Sequence, residues 1–158
     1  MKNIKIEIKW ALIFIGMMLL WMILERLFGF HDENIEYHPI VTNFIAIPAI
    51  LIYVLALLDK RKNFYMGSMT YLQGLVSGLI ITLIVTIFTP LTQYLTSTVI
   101  TPDYFANVID YSVKMGKMTQ EEANAYFNLE NYMVQATIGA PIMGIVTSLI
   151  VAIFTRKK

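Results

Sequence analysis

Four long runs of this chain carry almost no charge, and that limits its possible folds more than any other feature. They lie at about residues 8–28, 39–58, 71–97 and 131–154. Each is near or above the ~20 residues a helix needs to cross ~30 Å of hydrocarbon. None alternates strictly, as a membrane barrel strand would. A buried core helix would explain any one run. It fails for four, because 158 residues that are 57% hydrophobic and only 15% charged supply too little polar surface to wrap them. The first run follows Lys2, Lys5 and Lys9, as a signal peptide would, but no small-residue cleavage site comes after it, so it is expected to stay as an anchor. The expected fold is an all-α membrane protein, one domain over residues 1–158. Four transmembrane helices and an outer amphipathic helical hairpin between spans three and four would compose it.

The placement of lysine and arginine sets the expected orientation. Lys2, Lys5 and Lys9 precede the first run, Lys60, Arg61 and Lys62 follow the second, and Arg156, Lys157 and Lys158 close the chain. These are nine of the twelve basic residues, all on one side of a four-crossing layout. The other side holds Arg26, Lys114 and Lys117 and nine of the eleven acidic residues. Both termini are therefore expected on the cytoplasmic side of the membrane. Trp10, Tyr53, Tyr65 and Tyr71 are expected at the inner interface, and Tyr37, Tyr94 and Tyr132 at the outer one.

Packing is also written in the spacing. The third run has a small or short residue at every fourth position: Thr70, Gly74, Gly78, Thr82, Thr86, Pro90. The fourth repeats this with Ala136, Ala140, Gly144, Ser148 and Ala152. Each series lies on one helix face. Small faces let backbones approach where lipid offers no hydrophobic drive. Two matching stripes predict that spans three and four pack against each other within one molecule, with a homodimer as the rival.

Residues 98–131 are too many for an unstructured loop in a compact protein. Thr101 is the expected cap of a first helix, with Pro102 at its opening position and Asp103 near its positive end. Phe105, Val108, Ile109 and Val113 supply its apolar face, and Gly116 ends it. Thr119 to Glu122 is a capping-box pattern opening a second helix with Ala123, Tyr126 and Phe127. This hairpin would rest on the membrane surface or bundle mouth, or act as a lid or docking surface.

The candidate chemistry is sparse. About four residues in from the outer end of each span stand Glu25, Asn43, Gln93 and Gln135. Facing inward, they would form a polar layer, an outward-facing pocket for a small polar ligand or a proton. Otherwise they lie at headgroup depth. Unpaired, a charged Glu25 would cost several kcal/mol by insertion scales of roughly 2.5–3.5 kcal/mol. Pro48, Pro90 and Pro141 would free the carbonyls of Phe44, Thr86 and Thr137 nearby. His31, Glu33, Glu36 and His38 in the first outer connection could meet around a metal. Their spacing matches no established site and such loops are usually solvated, so no metal site is expected. There is no cysteine. No GxSxG, HExxH, Walker or dinucleotide motif occurs, so neither an enzyme nor a cofactor is expected.

Five short motifs resemble a family. They are Trp21-x-x-x-Glu25, Met69-Thr-Tyr-x-Gln-Gly74, Pro102-Asp-Tyr-Phe105, Met118-Thr-x-Glu-Glu-Ala123 and the closing Phe154-x-Arg-Lys-Lys158. Together they resemble DUF4199, an uncharacterised bacterial family. The resemblance implies a four-span inner-membrane protein with no established activity and assigns no functional residue. The leading functional expectation is a non-enzymatic scaffold or accessory subunit. The second is a minimal transporter or small-ligand-binding membrane protein using the polar pocket. Expected partners are membrane lipids, with a membrane protein or second copy possible. A net charge of +1 gives no case for nucleic acid.

Overall fold

The structure, a computed structural model, describes residues 4–157. α1 spans Lys5–Leu27, α2 His38–Val41, α3 Ala46–Asn63, α4 Tyr71–Leu95, α5 Tyr104–Lys114, α6 Gln120–Tyr126 and α7 Leu129–Thr155. Two 3₁₀ turns, Ile35–Tyr37 and Thr42–Ile45, join α2 and α3 into one helical ribbon. A π turn, Thr96–Ile100, prolongs α4. Four of these segments are long and apolar enough to cross a membrane: Lys5–Leu27, Ile35–Asn63, Tyr71–Ile100 and Leu129–Thr155. Their outer faces are greasy, with Leu12, Leu83, Ile87, Ile142 and Phe154 exposed, while Ser77, Thr82, Ser148 and Thr155 are buried. Polar groups inside and large apolar groups outside is the distribution that a lipid solvent selects.

The two small-residue stripes meet within the molecule. A Cβ on Gly74 would touch Ala152 at 3.5 Å, one on Gly78 would meet Ser148 Cβ at 2.8 Å, and one on Gly144 would meet Thr82 Cγ2 at 2.4 Å. The contacts step four residues up α4 and four down α7, an antiparallel register. An isolated bridge continues it, with the Met69 and Lys157 backbones exchanging both hydrogen bonds at 2.8 and 2.9 Å. Around this pair the core is closed by Ala11, Tyr53, Ala56, Leu57, Met69, Ile81, Val151 and Ala152.

At the end of the bundle where α1 begins and α7 ends, α1 and α3 are clamped by charge. Lys60 Nζ sits 2.9 Å from Glu7 Oε1 and 3.1 Å from Oε2. Ser77 Oγ donates to the same carboxylate at 2.9 Å, and the Lys60 ammonium lies 3.8 Å above the Phe64 ring. Glu7 and Lys60 are both buried. Beside them Asp59 accepts from Trp10 at 2.7 Å and from Asn63 at 2.6 Å, and pairs with Lys9.

The connection between α4 and α7 forms the helices α5 and α6, at the opposite end of the bundle, here called the cap end. Gly116, at φ +66°, turns the chain after α5, and Thr119 and Glu122 form the expected capping box. Thr101 does not cap α5: its hydroxyl donates to Thr96 O at 3.0 Å and closes the π turn. α6 and the last span are separate helices. The chain breaks at Phe127 and restarts on Asn128, whose side chain accepts from Asn131 N at 2.9 Å. Tyr53 is likewise no interface residue. It is 3% exposed, and its hydroxyl lies 2.8 Å from Thr82 Oγ1 in the bundle interior.

Candidate functional site

The site at the cap end begins with the way α1 stops. Phe30 N donates to Glu25 O, and Gly29 adopts φ +74°, a left-handed conformation that side-chain-bearing residues rarely take. Asn34 N then donates to Gly29 O at 2.7 Å, so the chain doubles back over the end of α1. That reversal carries His31 onto Glu25. The 3₁₀ turn at Ile35–Tyr37 then carries His38 to the same place.

The result is a buried cluster. His31 Nε2 lies 3.0 Å and His38 Nε2 3.4 Å from Glu25 Oε2. The other carboxylate oxygen accepts from the Trp21 indole, one helical turn back on the same face of α1. Glu25 and His31 side chains are 2% and 6% exposed, His38 17%, so the cluster opens to its surroundings on the His38 side. One donor atom from each of the three residues lies within 4.8 Å of the other two.

α5 roofs this cluster. Tyr104 packs its ring 5.2 Å from His31 and 5.1 Å from His38, centroid to centroid. Its hydroxyl is 3.3 Å from His38 Nδ1 and 3.4 Å from Tyr132 OH. Burial, with Tyr132 and the Glu25 carboxylate nearby, pushes the Tyr104 phenol up from its ordinary value, so it keeps its proton. Asn107 anchors α5 by donating to His31 O at 2.9 Å. His31 Nδ1 is buried and has no hydrogen-bond partner among the described residues.

The four residues expected from depth are not hydrogen-bonded into one layer, although Asn43 and Gln93 line one cavity. Glu25 joins the histidines. Asn43 is exposed and donates to its own turn at Pro39 O, 2.6 Å away. Gln93 donates to Ser97 Oγ at 3.0 Å, and Gln135 is exposed. Among the described residues no hydrogen bond joins any two of the four. The reason is angular for Glu25 and Gln135: position along a helix gives depth, but residues at one depth converge only if each is also rotated toward the centre. The solvated-loop expectation fails for His31 and His38, which are drawn in, while Glu33 and Glu36 stay exposed. Sequence reading missed Trp21, Tyr104 and the pairing of Glu25 with this loop. The one local signal was the i, i+4 spacing of Trp21 and Glu25.

Beneath the cluster, between all four spans, lies a cavity of about 430 Å³. Met18 and Met22 of α1, Tyr53 of α3, Thr89 of α4 and Gly139, Ala140 and Met143 of α7 help line it. Asn43 and Gln93 also line it, with Thr42, Thr92 and Thr96. Its outermost lining on the first two spans, Met22 and Thr42, stands three and four residues from Glu25 and His38, about one helical turn.

A greasy-surfaced bundle with four membrane-length helices and a roofed polar cluster defines a multi-pass helical membrane protein. Residues 9–157 match the family described as "Protein of unknown function (DUF4199)". The chain belongs to that family. No curated protein and no solved structure matched the chain.

Proposed function

We propose that this chain is a non-enzymatic small-ligand-binding protein of the bacterial inner membrane, with both termini in the cytoplasm. It would take an apolar or amphiphilic molecule into the cavity between its four spans. The cavity carries this reading. Its volume falls in the ~300–1,000 Å³ range of ligand pockets, and a mostly apolar lining with a few polar groups is the usual composition of such sites. Met18, Met22 and Met143 add adaptable, polarisable walls. Most of the polar lining residues, Thr42, Asn43, Thr89, Thr92, Gln93 and Thr96, belong to the cap-end halves of their spans, with Tyr53, Thr82 and Thr147 deeper, which suits a ligand with a polar head toward the cap and a largely apolar body. The orientation rests on the charge asymmetry, with the cap end toward the periplasm. The scaffold reading is less well supported, because the small-residue faces that would meet a partner helix are already used between α4 and α7.

Photolabelling tests the reading. A diazirine-bearing fatty acid, incorporated in vesicles with the protein, is expected to label Met18, Met22 or Met143 of the cavity wall. A Cβ on Gly139 would meet nothing within 4 Å, so Gly139→Phe fills the cavity from an open position. This substitution is expected to abolish labelling of those residues while leaving lipid-facing residues such as Leu83 and Ile87 labelled as before. Gly16→Phe, also at an open position, is the control. Cavity labelling that survives Gly139→Phe, or labelling confined to the lipid-facing surface, contradicts the reading.

A further inference from the structure

We infer that Glu25, His31 and His38 form a binding site for a divalent transition metal ion, zinc above all. The inference is independent of what occupies the cavity. Three observations carry it.

The first is donor geometry. A tetrahedral ion with ligands at ~2.1 Å separates its donor atoms by about 3.4 Å. Glu25 Oε2 stands 3.0 and 3.4 Å from the two Nε2 atoms. All three donors lie within 4.8 Å of one another. Small shifts therefore bring them onto one ion.

The second is the surrounding support. Metal-bound histidine usually engages its second ring nitrogen with a hydrogen-bonding group, which fixes the ring. Tyr104 OH does this for His38 Nδ1 at 3.3 Å. The Trp21 indole holds the second oxygen of Glu25 and leaves Oε2 facing the rings. His38, the most exposed of the three at 17%, gives an ion its way in.

The third is that the cluster is not balanced by itself. Both rings present Nε2 to one carboxylate oxygen, and a neutral imidazole that donates from Nε2 keeps Nδ1 as an acceptor. For His38 that acceptor meets Tyr104. Among the described residues, the basic side chains within pairing distance of Glu25 are these two imidazoles. Arg26, its sequence neighbour, instead donates to the Ile100 carbonyl. A buried carboxylate at a membrane span's end is costly without a compensating cation. A divalent ion would supply one.

Two nitrogens and one carboxylate select zinc or copper over magnesium and calcium, which prefer all-oxygen shells. Three protein ligands leave a fourth position for water or another small donor. The ion would join the end of α1 to the loop that reverses over it.

The test uses the full chain in detergent, purified through a tag without histidine, stripped with chelator and titrated calorimetrically with zinc chloride. About one zinc per chain is expected, with excess magnesium unable to displace it. His31→Ala and Glu25→Gln are expected to remove the binding. Tyr104→Phe is expected to weaken it about 10–100-fold. Glu33→Gln with Glu36→Gln should leave it unchanged. Pulsed electron paramagnetic resonance of copper-loaded unmutated protein counts coordinated imidazoles without relying on any variant's folding, and two are expected. Failure of the chain to bind zinc, equal binding by His31→Ala, or fewer than two coordinated imidazoles would overturn the site and leave a hydrogen-bonded cluster only.

Discussion

Lys60→Met is expected to destabilise the folded bundle by about 3–5 kcal/mol, the usual cost of removing one partner from a buried ion pair. Lys60 and Glu7 are 3% and 1% exposed, and the ammonium reaches both carboxylate oxygens. Without it, Glu7 still accepts from the Ser77 hydroxyl, a neutral donor facing a buried charge. The carboxylate must then stay charged without compensation or take up a proton, and either route loses stability. The pair variant Glu7→Met with Lys60→Met is the informative comparison. Replacing a whole buried pair by apolar side chains of similar volume is often neutral or stabilising. The double variant is therefore expected to recover most of the loss. Reversible unfolding in mixed micelles, read by circular dichroism against denaturing detergent fraction, measures both. If Lys60→Met lies within about 0.5 kcal/mol of the parent, as a surface pair would, the clamp between α1 and α3 contributes little to stability.

Gly144→Ala is the second large expected effect, with a loss of about 1–3 kcal/mol from overpacking. The added methyl would come within 2.4 Å of Thr82 Cγ2 and 3.0 Å of its Cβ. Thr82 cannot turn away cheaply, because its hydroxyl donates to Gly78 O at 3.0 Å and lies 2.8 Å from the Tyr53 phenol. The helices would have to separate, and with them the contact of Gly78 with Ser148 one turn away. Gly139→Ala, five residues earlier on α7, meets nothing within 4 Å. It is expected to be neutral or to gain up to about 1 kcal/mol from helix propensity. The same chemical change on one helix thus has opposite expected signs. Equal effects at the two positions in the same unfolding assay would contradict the stripe-to-stripe register.

The parts of this fold that could be read from sequence are those fixed by a single helix. A lipid solvent forces an uncharged run of sufficient length to coil on itself, so the four spans follow from hydropathy. The stripe of Gly74, Gly78 and Thr82 and its match in Gly144, Ser148 and Ala152 were legible because period four maps directly to a face. The Thr119 to Glu122 cap was legible because it closes within four residues. What could not be read depends on rotation about a helix axis and on long-range docking. Glu25 shares a depth with Asn43, Gln93 and Gln135 but points elsewhere, toward a loop that returns only because Gly29 turns left-handed. Tyr104, more than sixty residues from His38, reaches the cluster through the docking of α5. It lies in the Pro102–Phe105 motif, and Trp21 and Glu25 lie in another motif that carried the family resemblance. Glu7 was hidden for a different reason. Summing charges by side treats Lys60 as a topological marker, whereas the fold withdraws it from solvent to neutralise a carboxylate.

Cysteine accessibility in intact cells tests most directly the claim that the chain crosses the membrane four times with its cap outside. The chain has no native cysteine, so single substitutions report without background. Met115, 58% exposed at the end of α5, and Met66, 96% exposed between the second and third spans, can each be replaced without altering charge. A membrane-impermeant maleimide is expected to label Met115→Cys in intact cells, and Met66→Cys only after the inner membrane is permeabilised. Labelling of Met66→Cys from outside, or of both positions alike before permeabilisation, would contradict the topology on which the cavity's and the cluster's orientation depend.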